Sequence, residues 1–226
     1  MAVELANVRP GAYKAQAMAD ALQQLYGDSD IWHINRYIDD QQAKMAVKEC
    51  DLLISTVDDD TARLAVSLLS TLYQLPLLDI AVGVSFQPAA QSAVSRRELG
   101  ADLRLILPGD GCLLCRSGLG DFAGAVENLS RTSLSQHRQA QDQRGWRSVE
   151  HMGSSLLWNT QAVSEGVELL WQLARGEISR STWLRLQKFS GGNLHTVTID
   201  GPPTSNLIAC PYCQRAGAGD GALFWR

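Results

Sequence analysis

The chain has 226 residues, 45% of them hydrophobic, enough for one large domain or two small ones whose core needs no covalent staples. Its formal net charge of −4 disfavours sequence-independent nucleic-acid binding, which draws on an excess of Lys and Arg. No apolar run approaches the roughly 20 residues of a membrane helix, and the opening "MAVELANVRPGAYK" lacks the apolar core of a signal peptide, so a soluble, cytoplasmic protein is expected.

Helix formers, apolar residues at helical spacing and a closing glycine predict a helix over 12–27. The alternating, β-rich "DIWHINRYI" predicts a strand over 30–38. A helix follows over 39–49, capped by Asp39 or Asp40. The short apolar run "CDLLISTV" (50–57) reads as a buried parallel strand, with Cys50 a small buried residue. Then come a helix with aspartate caps (58–75), a strand (76–84), a bend at "SFQPAA" and another strand (102–109). Strand, helix and strand recurring at this length imply βαβ units and a mostly parallel sheet. Residues 117–152 are polar and poor in periodicity, as in a functional crossover or a partly disordered segment. A long helix closing at Gly176 (154–176) and an antiparallel hairpin around a Gly-Gly turn (182–200) complete the chain before its tail.

Four of the five cysteines form two C-x-x-C pairs, "CLLC" (112–115) and "CPYC" (210–213). In a reducing compartment such pairs read as metal ligands or redox groups. Cys112, Cys115, Cys210 and Cys213 together can close a tetrahedral Zn²⁺ shell, and four filled positions make the metal structural rather than catalytic. The alternatives are two unrelated buried pairs or a redox pair.

In order, the helix at 12–27, "DLLISTVDDDTARLAVSLLSTLYQLPLLDIAVGV" (51–84), "LILPGDGCLLC" (105–115) and the terminal "CPYC" resemble the ThiF/MoeB/E1-like adenylyltransferases over almost the whole chain. Members of that family activate the C-terminal carboxylate of ubiquitin-like or sulfur-carrier proteins, or of peptides, at the expense of ATP. The resemblance implies a Rossmann-like α/β fold and places the family's Mg²⁺–ATP aspartate on Asp58, its helix arginine on Arg63 and its phosphate-neutralising lysine on Lys14. Asn7 matches a further nucleotide-site position, and Arg9 matches one with a one-residue deletion. Asp59 stands where many members have Asn. Read without the family, Asp58–Asp60 can simply cap a helix, Lys14 can be a solvated helix lysine and Arg63 a surface ion-pair partner.

The chain also departs from the family. No G-x-G-x-x-G turn precedes Lys14, and "MAVELAN" resembles only the tail of the family's second strand. A fragment, a site completed by another chain and a degenerate member that has lost ATP chemistry all remain open. Residues 117–152 contain no cysteine, so an active enzyme would stop at the acyl adenylate. The expected architecture is one domain over 1–226: an α/β part (1–116), a crossover (117–152), and a helix, hairpin and zinc-knuckle tail (153–226). A homodimer is expected by analogy, and a carrier-protein tail or peptide is the expected partner.

Overall fold

The computed structural model describes residues 13–87, 96–116, 122–131, 156–188, 194–199 and 210–222, with the single positions 119, 134 and 136. The elements run α1 (Lys14–Leu25), α2 (Gln41–Lys48), β1 (Leu53–Ser55), α3 (Asp60–Tyr73), β2 (Leu77–Gln87), β3 (Arg96–Ile106), α4 (Phe122–Arg131), α5 (Leu156–Ala174), β4 (Thr182–Lys188) and β5 (Leu194–Ile199). Two short 3₁₀ turns, Cys213–Arg215 and Gly219–Ala222, follow in the tail. No helix among the described residues is long and apolar enough to cross a membrane.

The strands form one five-stranded sheet in chain order, β1-β2-β3-β4-β5. The α/β class and the closing hairpin are as expected, with the Gly-Gly turn itself outside the described residues. Among the described residues the sheet is not mostly parallel: β1·β2 is its one parallel pair, and the other three pairs are antiparallel. The reason is connection length. α3 supplies the crossover between β1 and β2. The link from Gln87 to Arg96 is shorter than the dozen or so residues that a parallel return requires.

Each face of the sheet is covered by helices. Leu78, Ile80, Leu103, Leu105, Leu184 and Leu186 pack on one face against Trp158, Ala162 and Leu169 of α5. The opposite face carries Leu53, Leu77 and Ile106 under Leu64, Ala65, Leu68 and Leu69 of α3, with Ala125 and Leu129 of α4 beyond. Gly166 lets α5 lie close to the strands, since a Cβ there would come within 2.9 Å of Ile80 Cδ1. Burying side chains of this size is worth about 1.5–3 kcal/mol each, so these two clusters dominate the favourable side of folding.

Three local expectations are corrected. Residues 30–38 form no strand; Trp32 and Tyr37 are exposed, and Ile31 N–H donates to the Gln23 side chain. β-propensity only fits a chain for a sheet surface, and among the described residues no strand pairs with it. The polar stretch 117–152 contains a helix, α4, which Ala125 and Leu129, with the partly buried Val126, dock on α3. Cys50 is exposed rather than buried, because α2 ends just before it and its thiol donates to Ala46 O.

Candidate functional site

Two groups of residues stand at opposite edges of the sheet. Asp58 follows the C-terminal end of β1, and α3 turns back from there. Leu77 at the start of β2 pairs with Ile106 at the end of β3, so the knuckle that follows β3 lies at the N-terminal edge of the parallel pair. α3 spans the distance between these edges.

The three aspartates at the first edge have separate tasks. Asp59 caps α3, accepting from Ala62 N–H at 2.9 Å. Asp60 accepts from Arg63 Nη1 at 2.9 Å. Asp58 is exposed, and its side chain has no hydrogen bond or ion pair among the described residues. Capping, the alternative for Asp58, therefore belongs to its neighbour.

Arg63 is 9% exposed, not a surface ion-pair partner. Its Nε donates to Asp79 Oδ1 at 3.1 Å and its Nη2 to Val57 O at 2.6 Å. Asp79 is wholly buried and also meets Arg104 Nη1 at 3.2 Å. Burial pushes the Asp79 carboxyl above the usual carboxylate range, against the pull of Arg63 and Arg104. Arg104 continues to Asp102 at 3.0 Å, and Arg185 grips Asp102 with two bonds, at 2.7 and 3.1 Å. Both guanidiniums lie over the Trp183 ring, Arg104 at 4.8 Å and Arg185 at 4.9 Å from its centroid, and Trp183 Nε1–H donates to Asp102 at 2.8 Å.

Asp79, Arg104, Asp102, Trp183 and Arg185 were not singled out by the sequence reading. The available signal was their parity: Asp79 and Arg104 interrupt apolar strands at positions that the register sets opposite one another. Lys14 is exposed at the first position of α1, with no bond to Asp58 or Arg63. Asn7 and Arg9 lie outside the described residues.

At the other edge, the sulfurs of Cys112, Cys115, Cys210 and Cys213 all lie within 4.8 Å of one another. Cys112 Sγ is 3.9 Å from both Cys115 and Cys210, and Cys115 Sγ is 3.5 Å from Cys213. A tetrahedral shell with metal–sulfur bonds near 2.3 Å sets sulfurs roughly 3.8 Å apart, so the four fit one metal ion. The knuckles share one backbone pattern, Arg116 N–H to Cys112 O and Gln214 N–H to Cys210 O. In the bare thiols, a hydrogen bond from Cys213 brings Cys112 down to about 6, while burial pushes Cys115 up to about 12. Four thiolates cannot share so small a space without a cation between them. Leu113 N–H to Ser67 Oγ ties the first knuckle to α3, and Gly217 N–H to Thr71 O ties the second. A cavity of about 420 Å³ beside this cluster, lined by Thr71, Gln74, Ile106, Pro108 and Cys213, includes none of Asp58, Lys14 or Arg63.

No protein-family profile and no curated protein matches the chain. Solved structures do. Escherichia coli MccB crystallised with MccA superposes at a TM-score of 0.50 and 14% identity, over 90% of this chain and 51% of that one. MccB crystallised with ATP gives 0.49, at the same identity and coverage. The chain thus spans about half the length of the MccB chains it matches. At this identity the likeness concerns the fold alone, which this chain shares with MccB.

Proposed function

We propose that the chain is an ATP-dependent adenylyltransferase acting on the C-terminal carboxylate of a ubiquitin-like or sulfur-carrier protein, or of a peptide. The observation that carries this reading is Asp58, the one aspartate of its triplet without a structural partner among the described residues, at the C-terminal end of β1. Open α/β sheets take ligands at that end. Asp58 would hold the Mg²⁺ that accompanies ATP, Lys14 and Arg9 neutralise phosphate charge, and Asn7 binds the nucleotide through its amide. A carboxylate oxygen of the partner attacks the α-phosphorus. The bond to the bridging oxygen breaks, and pyrophosphate leaves with the electron pair. Positioning and charge neutralisation carry such a step, with little covalent work for the protein. With no cysteine in 117–152, the acyl adenylate passes to an external nucleophile. Zn²⁺ in the four-cysteine shell is structural, and the working form is a cytoplasmic homodimer.

Because MccB has been crystallised with ATP and with MccA, a nucleotide and a peptide are the first ligands to try. The test is ATP–pyrophosphate exchange with candidate carriers or peptides. Carboxylate-dependent exchange that drops about 100-fold or more in Asp58→Ala supports the reading. Exchange that is absent, or equal in the variant, removes it.

A second reading is a degenerate, non-catalytic partner-binding module, or a chain completed by another polypeptide. Lys14, exposed and with no bond to Asp58 or Arg63 among the described residues, favours it. Calorimetry separates the two readings, because micromolar Mg²⁺–ATP binding by these 226 residues counts against the module.

A further inference from the structure

We infer that Arg63 is a positioning residue that straps the turn carrying Asp58, with Asp79 as its fixed post, and that its guanidinium meets no ligand itself. The inference deepens the reading of Asp58 as the ligand-holding carboxylate and rests on it.

The geometry is that of a bridge beneath one residue. Val57 immediately precedes Asp58, and Asp60 lies two positions after it. Arg63 bonds to both, through Nη2 to the Val57 carbonyl and through Nη1 to the Asp60 carboxylate. Its remaining nitrogen, Nε, donates to Asp79. Every guanidinium nitrogen is thus engaged inside the protein, and the residue is 9% exposed. The side chain therefore lies behind the turn, whereas Asp58 projects from its exposed side.

The post is fixed more firmly than the turn. Asp79 has no solvent exposure, sits in the middle of the β1–β2–β3 ladder opposite Ser55 and Arg104, and bonds to Arg104 as well. Arg104 is held in turn by Asp102, which Arg185 and Trp183 grip from β4. The position of Asp58 is thereby referenced to three strands rather than to the first turn of α3 alone. A planar guanidinium can serve three acceptors at fixed angles, and an ammonium at the same place cannot. Charge and strap can therefore be separated by one substitution.

Arg63→Lys keeps the positive charge beside Asp79 and loses the fork. Hydrogen exchange measured by mass spectrometry on wild type and Arg63→Lys, with Mg²⁺–ATP titration calorimetry on both, tests the inference. The expected result is exchange about tenfold faster over 57–62 with β2 and β3 unchanged, and nucleotide affinity weakened by a similar factor. Asp60→Ala, at a partly exposed position, removes one arm of the strap and decides the matter if the lysine variant does not fold; it should speed exchange over 57–62 by about threefold. Unchanged exchange over 57–62 overturns the inference. Nucleotide binding lost without faster exchange also overturns it, because Arg63 would then touch the ligand. If wild type binds no nucleotide, the reading of Asp58 falls, while the exchange result still decides whether the strap exists.

Discussion

Asp102 receives bonds from Trp183 and from both arms of Arg185, and Arg104 lies 3.0 Å away. Burial acts to raise its carboxyl, but the Arg185 bonds, the Arg104 charge and the Trp183 N–H outweigh burial and hold it below the usual carboxylate range. A carboxyl depressed on folding contributes stability above its unfolded value, near 3.9, and loses that contribution as pH falls through its folded value. Asp102→Asn should cost about 1–3 kcal/mol at pH 7 and flatten the fall in melting temperature between pH 5 and 3. Thermal melts across that range check it; a variant as acid-sensitive as wild type contradicts it. Asp79→Leu should cost more, about 3–5 kcal/mol at pH 7, because it leaves two buried arginines facing an apolar side chain. Urea unfolding of both variants checks that order. Neither aspartate could be ranked from sequence. Their partners lie on other strands and helices, and only the register of β2 with β3 and β3 with β4 assembles them. The cysteines were legible because spacing within each knuckle is local and carries its own chemistry.

Among the elements, legibility followed how far each depends on a neighbour. The helices over 12–27, 58–75 and 154–176 were readable because their periodicity and end signals are local. Gly176 closes α5 at φ +72°, and its N–H reaches back to Leu173 O. β3 was only half-readable: "RRELGA" is too polar to read as strand, yet β2 pairs with it over its full length. α5 gives the sharpest test at this scale. Gly166→Ala gains about 1 kcal/mol of helix propensity. Its new methyl meets the end of Ile80 at 2.9 Å, then Leu78 at 3.4 Å and Leu103 at 3.5 Å. Ile80 can rotate its terminal methyl aside, so the two effects should nearly cancel, leaving stability within about 1 kcal/mol of wild type. Gly166→Leu has no such escape, because the three side chains close the space together. It should cost about 3 kcal/mol or more, read as a lower urea midpoint at unchanged slope.

On the scale of the whole molecule, α3 is the spine. Its first turn, at the C-terminal edge of β1, carries the Asp58 turn; farther along, Ser67 holds the first knuckle, and Thr71 and Tyr73 hold the tail. Of the elements that run between the candidate ligand edge and the clasp, α3 is a helix that is nearly all buried. Such a helix has one well-packed arrangement, so releasing its far end should not move its near end. The tail also has anchors that need no metal: Gly217 N–H on Thr71 O, and Asp220 on Lys48 and Tyr73. Exposed pairs of this kind add little, against roughly 10–16 kcal/mol for a structural zinc in small peptides. Metal removal should therefore free the tail and leave the sheet folded. Elemental analysis should find one metal ion per chain. A strong chelator, or Cys210→Ser, should lower the melting temperature by several degrees and speed hydrogen exchange over 210–222 by 100-fold or more, by the zinc scale just given. Exchange over 57–62 should stay as it was. Were the turn at Asp58 to loosen together with the tail, α3 would be transmitting a change between the two edges, and the clasp would have to be counted as part of the site rather than as its distant support.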